Sequence, residues 1–410
     1  MESAKLIAGL ARLAGDVGLA EDMAQDALLA ALERWPVSGI PDKPGAWLMA
    51  TAKHRSIDAV RRRVMVERKQ ELVNYEMECQ LAAAVPDQDA ALDDHVGDDL
   101  LRLMFTACHP VLSTEARVAI TLRLLGGLTT VEIARAFVVP EATMAQRIVR
   151  AKRTLSEARV PFEVPRGEEF VARLSSVLQV VYLVFNEGYS ATAGDEWLRP
   201  ALCDDALRLG RILAELMPSE PEVHGLVALM EIQASRSAAR VGPTGEPVLL
   251  LEQDRARWDQ LMIGRGLSAL ERAEQLAERG PYTLQAAIAA CHARARAADA
   301  TDWSRIAALY EELARLTPSP IVELNRAVAV SMAFGPERGL EMVDGLVGAS
   351  SLKGYHLLHA VRGDLLQKLG RYAEARMELE RAATMTGNVR EKALLRVRAE
   401  ECAREMAEAG

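Results

Sequence analysis

The chain has 410 residues, half of them hydrophobic and 26% charged, with glycine and proline together about a tenth. That composition excludes a collagen-like or low-complexity polymer and fits two to four domains at roughly 100–200 residues each. Aromatics are only 4%, which favours helices over pleated sheets, and the net charge of −9 argues against a surface that coats nucleic acid or anionic membrane as a whole.

Taken in chain order, residues 4–35 read as one or two helices, with Asp22 as an N-cap for Met23–Trp35. Pro36, Gly39, Pro41 and Pro44 mark a loop. Pro44–Arg63 reads as a helix with Trp47, Leu48, Ile57 and Val60 apolar. Its end is basic: residues 53–69 carry a net +5. Residues 70–99 then carry nine acidic side chains and no Lys or Arg, and 70–97 read as an acidic linker. Residues 98–159 are compact and helical again, with a net +3 over 141–159. Pro161, Pro165 and Gly167 separate them from a long all-helical remainder.

In that remainder Val171, Leu174, Val177, Leu178, Val181, Tyr182 and Phe185 form one helical stripe. A loose repeat follows, in which Gly335 aligns with Gly370 and Leu340 with Ala375, 35 residues on. Residues 281–316 read as a diverged third copy, with Trp303 and Tyr310 on its second helix. A helix ending in Gly and followed by an amphipathic helix is the unit of a tetratricopeptide-like array.

Two segments carry chemistry. In Leu128–Arg153, Thr129 or Thr130 caps a short helix with Ile133, Ala134 and Phe137. Pro140 opens the next helix, which turns Met144, Ile148, Ala151 and Leu155 inward. Gln146, Arg147, Arg150 and Arg153 take the opposite side. That is helix-turn-helix logic, in which Gln reads base edges and Arg holds phosphate or guanine. Val138 occupies the turn where Gly is common, and a β-branched residue tolerates positive φ poorly. The second segment, Trp47–Arg63, crowds Lys53, His54, Arg55, Arg61, Arg62 and Arg63 at a helix end.

Other readings carry less. Cys108–His109 and Cys291–His292 suggest metal ligands, but neighbours on a helix diverge by about 100°, and no partner sits at metal-site spacing. Five widely spaced cysteines without a CxxC pair fit a reducing cytoplasm rather than a disulfide framework. No window is long and apolar enough for a membrane span. The first helix, broken by Arg12, is no signal peptide. Ser190 lacks a nucleophile-elbow pattern. No cofactor, metal or enzymatic activity is expected. Asn186, Glu187, Asp195, Gln253, Asp254 and Arg255 either line a pocket or cap helices and tie hairpins together.

In combination these residues resemble a family. Asp22, Gln25 and Asp26, then Trp47, Leu48, Ala52, Asp58 and the Arg cluster, then an acidic linker and a helix-turn-helix, look like the sigma-70 family of bacterial transcription initiation factors. More narrowly they resemble the extracytoplasmic-function class, which keeps only regions 2 and 4. The motifs at 185–194, 253–259, 280–287 and 324–328 resemble its subgroup with a long tetratricopeptide-like C-terminal extension. The resemblance implies an all-α fold: two small helical sigma domains, region 2 over 1–69 and region 4 over 98–159, followed by a helical array over 160–410.

It also implies roles. Asp22, Gln25 and Asp26 would dock on core RNA polymerase. Lys53, His54, Arg55 and Arg61–Arg63 would melt and read the −10 element of promoter DNA. Gln146 would reach bases of the −35 element while Arg147, Arg150, Lys152 and Arg153 hold phosphates. The extension would regulate, with a protein or ligand as its partner. Elements ~17 base pairs apart lie ~58 Å apart at 3.4 Å per step, and residues 64–97 reach up to ~110 Å when extended. The alternative reading is an operator-binding regulator with a repeat-based sensor, which recruits polymerase without acting as its sigma subunit.

Overall fold

The computed structural model describes residues 2–54 and 91–409. They are helical almost throughout and form two compact units, Met1–Val181 and Tyr182–Gly410. The basic residues Arg55 and Arg61–Arg63, and most of the acidic stretch, lie outside the described residues.

In the first unit, helices α1 (Glu2–Ala14) and α2 (Val17–Ser38) pack on each other. The cap of α2 is Asp16, not the expected Asp22: its carboxylate accepts the Leu19 amide at 2.9 Å. Gly15, at φ +66°, supplies the break between the two helices that the sequence left undecided. Asp22 therefore lies inside α2. The helix also runs past its expected stop, through Pro36 to Ser38, because a proline in the last turn removes only one hydrogen bond.

Helix α3 covers 44–54, with Leu48 and Ala52 buried and the Trp47 ring 5.5 Å from that of Trp35. Helix α4 (Ala91–Ala107) begins inside the stretch read as linker and buries Leu103, Met104 and Phe105. Helix α5 (Thr114–Thr121) runs into a single π turn at Leu122–Gly126. Helices α6 (Thr130–Ala136) and α7 (Glu141–Glu157) follow.

Helix α8 (Gly167–Tyr189) begins in the first unit. There the Arg173 guanidinium donates to the Phe105 carbonyl at 2.9 Å, and the Ser176 hydroxyl to that of Cys108 at 2.6 Å. On the expected stripe of α8, Leu174, Val177, Leu178, Val181 and Phe185 are buried, Tyr182 is half-buried, and Val171 at its start is exposed.

The second unit is a chain of helices in which each packs on the next. They are α9 (Pro200–Leu216), α10 (Pro221–Ala234), α11 (Gln260–Leu276), α12 (Pro281–Arg294) and α13 (Trp303–Leu316), then α14 (Pro320–Phe334), α15 (Pro336–Leu346), α16 (His356–Lys368), α17 (Tyr372–Met385) and α18 (Val389–Ala409). One core forms around Leu284, Ile306 and Leu309, another around Leu340, Leu365 and Leu379. The aligned glycines occupy matching places: Gly335 follows α14 at φ +104°, and Gly370 lies between α16 and α17 at φ +71°. Leu340 and Ala375, the aligned apolar pair, are both buried. Strands β1 (Ala193–Gly194) and β2 (Gly387–Asn388) pair in parallel. The buried Asn388 amide donates to the carbonyls of Ala191 and Glu196 and ties the two ends of this unit together.

Candidate nucleic-acid and polymerase interface

The helix-turn-helix is built as its residues dictate. Thr129 caps α6 in a reciprocal capping box: its hydroxyl accepts the Glu132 amide, and the Glu132 carboxylate accepts the Thr129 amide at 2.8 Å. Ile133 and Ala134 are buried, and α6 packs on α7. Pro140 precedes the first residue of α7. Val138 adopts φ +51°, the strained turn its position implied. Met144, Ile148, Ala151 and Leu155 face inward and are buried.

The other face of α7 is open. Gln146 and Arg150 are exposed and Arg147 is half-buried. With Ser113, Glu115 and Thr143 they line a shallow concavity of about 410 Å³. Arg153 is also exposed and bridges to Glu157 one turn on, at 2.6 Å. Such a pair on a helix surface holds little energy and exchanges readily for another anion.

Lys152 faces elsewhere. Its ammonium lies 2.6 Å from one carboxylate oxygen of Glu21 and 3.4 Å from Asp22, both on α2. Arg123 reaches the other Glu21 oxygen at 2.6 Å. Glu21 is only 2% exposed and forms the hub of this contact, while Gln25 donates to it at 2.7 Å. Asp22, Gln25 and Asp26 all lie on the exposed side of α2, and Asp22 is 71% exposed. A second buried carboxylate, Asp99 on α4, takes Arg12 at 2.8 Å and Arg102 at 2.9 Å. Burial still pushes the Asp99 carboxyl above its ordinary range, with the two arginines offsetting only part of that cost.

The sequence reading missed Glu21, Arg123, Asp99 and Arg12. A signal for Glu21 was present, since it occupies a helical position four after Val17 and three before Ala24, both buried. A carboxylate on an apolar stripe calls for a cationic partner. Of the basic cluster on the next helix, His54 is exposed and Lys53 half-buried; burial first, then Arg12, hold the Lys53 ammonium below its usual value.

In the second unit, the polar residues with an open role tie the chain together. Glu187 binds Arg199 and the Thr192 hydroxyl. Asp254 caps a short turn by accepting the Ala256 amide at 2.9 Å, and the Gln253 amide donates to the Val248 carbonyl at 3.1 Å. Arg255 donates to the carbonyls of His292 and Ala295. Asp195 is exposed. The Cys–His pairs gather no ligand set: among the described residues no group of three metal-ligating side chains converges. Cys108 is buried against Thr121, and burial pushes its thiol up to about 11. No helix among the described residues is long and apolar enough to cross a membrane.

Comparison with known proteins agrees with this geometry. Residues 2–64 match sigma-70 region 2, residues 102–155 match sigma-70 region 4, and residues 173–274 match a family of unknown function, DUF6596. An uncharacterized protein of Rhizobium meliloti (strain 1021) is 44% identical over 403 residues, covering 97% of this chain and 93% of its own. A probable ECF RNA polymerase sigma factor, SigI of Mycobacterium tuberculosis (strain H37Rv), is 30% identical over 162 residues. That match covers 39% of this chain and 53% of that protein, so the likeness to SigI spans about half its length.

Proposed function

The chain belongs to the sigma-70 family, in its extracytoplasmic-function class, and from that premise we propose that it binds core RNA polymerase and directs initiation at promoters with its own −10 and −35 elements. The observation that carries the reading is the α7 face, where Gln146, Arg147 and Arg150 stand together over an open concavity on a capped helix-turn-helix. Gln146 reads base edges in the major groove, while Arg147, Arg150 and Arg153 hold phosphates. Asp22, Gln25 and Asp26 offer carboxylates and an amide to a basic polymerase surface. Lys53, His54, Arg55, Arg61, Arg62 and Arg63 track the melted −10 strand, where a cationic groove suits the backbone.

Reading both elements at once separates α2 from α7. Elements ~58 Å apart are out of reach of two helices joined through Lys152, Glu21 and Asp22. Lys152 exchanges those carboxylates for phosphate as α7 enters DNA, and Asp22 is released toward polymerase in the same step. The packed arrangement is then the resting form. The helical, tetratricopeptide-like extension is a regulatory module, and the protein works in the cytoplasm, where its polymerase is.

Competition tests the reading. Full-length protein should bind sigma-free core polymerase and displace a resident sigma subunit. Binding without displacement would favour a recruiter acting beside that subunit. On DNA, Gln146→Ala should change the preferred −35 sequence. Arg150→Ala should weaken binding to all sequences alike and lower the salt slope by about one.

A further inference from the structure

The second unit buries arginines that no carboxylate answers. Ser235 closes α10, and its carbonyl accepts the Asp259 amide at 2.9 Å. That bond pinches the base of a loop carrying Arg236 and Arg240 at one end and Arg255 and Trp258 at the other. Arg236 and Arg240 are only 8% and 9% exposed. The Arg240 guanidinium lies 3.6 Å from the centre of the Tyr189 ring. Arg236 lies 5.7 Å from the same ring and 5.8 Å from that of Trp258. Arg255 lies 4.7 Å from Trp258. Arg240 lies 5.5 Å from the Trp197 ring as well, so three cations and three aromatic rings alternate in a row.

Among the described residues, none of these three arginines is ion-paired. Glu187, on the helix that ends in Tyr189, is taken by Arg199. Asp299 acts on Arg255 only from a distance. Arg255 spends its terminal nitrogens on the carbonyls of His292 and Ala295 and on the Thr301 hydroxyl, and Arg240 is hydrogen-bonded to Tyr189, but an aromatic face attracts a guanidinium plane without accepting the hydrogens that lie in it. The Nε atoms of Arg236 and Arg255 and the Nε1 of Trp258 are buried without a hydrogen-bond partner. All three only donate. The Nδ1 of His292, beside Trp303 at 5.1 Å between ring centres, is buried and unpartnered as well. Burial, then Arg236 and Arg255, hold His292 down at about 4, so it stays neutral and adds no competing charge.

Buried cations with unmet donors call for a group that is anionic and only accepts. We propose that this cluster binds a small ligand through an oxyanion group, carboxylate or phosphoryl, held by Arg236 between the flanking Arg240 and Arg255. A guanidinium fork meets both geometries with two parallel hydrogen bonds. The site stands on the second unit alone and holds whether or not the first unit acts at promoters.

The test is thermal unfolding of the full-length protein with inorganic phosphate or acetate, against sodium chloride at equal ionic strength. Phosphate or acetate should raise the midpoint of the second unit by a few degrees and saturate, and the effective anion identifies the headgroup. Chloride should not. Arg236→Met should abolish the rise. In chloride alone that variant should melt no lower than the unmutated protein, because it removes an unanswered buried cation. No saturable rise with either anion, or an undiminished rise in Arg236→Met, overturns the proposal. If Arg236→Met fails to fold, the arginine is structural and the proposal falls, unless the unmutated protein passes a second measurement. That measurement is the His292 titration followed by nuclear magnetic resonance: the effective anion should raise its midpoint from about 4, and an unmoved midpoint contradicts the site.

Discussion

The two units differ in whether every buried charge among the described residues finds a partner of opposite sign. In the first, each buried carboxylate among the described residues is shared by two cations: Glu21 by Arg123 and Lys152, Asp99 by Arg12 and Arg102. The second pairs its buried carboxylates too, Glu231 with Arg211 and Arg265 and Glu187 with Arg199, but it also buries Arg236 and Arg240 against rings, and among the described residues neither meets a carboxylate. A paired buried charge fixes one arrangement of helices, and removing one partner leaves the other exposed to the full cost of burial. An unpaired one leaves a site that only an external group completes. The first pattern suits a contact made to hold and then be exchanged, the second a site made to be filled.

The largest effect should come from the hub. Glu21→Ala strands Arg123 and Lys152 against each other and should destabilise the first unit by about 3 kcal/mol or more in chemical denaturation. A loss as large from Arg236→Met in the second unit would erase the contrast. Next is pH. His292 is held at about 4 when folded, below the ordinary histidine value, so protons bind the unfolded chain more readily. The second unit should be fully stable above about pH 6.5 and lose about 3 kcal/mol as pH falls toward 4. His292→Gln should flatten that decline, as should a saturating oxyanion.

Smaller changes probe the helix-turn-helix itself. Thr129→Ala removes a capping box and should cost about 1 kcal/mol in thermal unfolding of the first unit. Val138→Gly relieves a β-branched residue at φ +51° and should stabilise by roughly as much, since left-handed backbone costs about 1–2 kcal/mol for a non-glycine residue. Neither should alter Arg236 or its response to anions.

The helix-turn-helix was legible because its signals are local. Met144, Ile148, Ala151 and Leu155 are spaced by three and four, and Thr129 with Glu132 is a capping pattern three residues long. The strain at Val138 was legible for the same reason. The cap is not Asp22 because Asp16, beside Gly15, offers the same chemistry six residues earlier. The charge hub was half-visible: Glu21 breaks an apolar stripe, but its partners Arg123 and Lys152 lie more than 100 residues away. The arginine row was not legible at all. Tyr189, Arg236 and Trp258 meet through a helix end, a loop and a turn, and no periodicity marks an arginine that will be buried.

Promoter-dependent transcription by core polymerase tests the central claim most directly. Full-length protein with sigma-free core should produce transcripts from promoters mapped after its induced expression, and Arg150→Ala should reduce them at every such promoter. Absence of transcripts at genuine candidate promoters, or transcripts that require a second sigma subunit, would contradict the account.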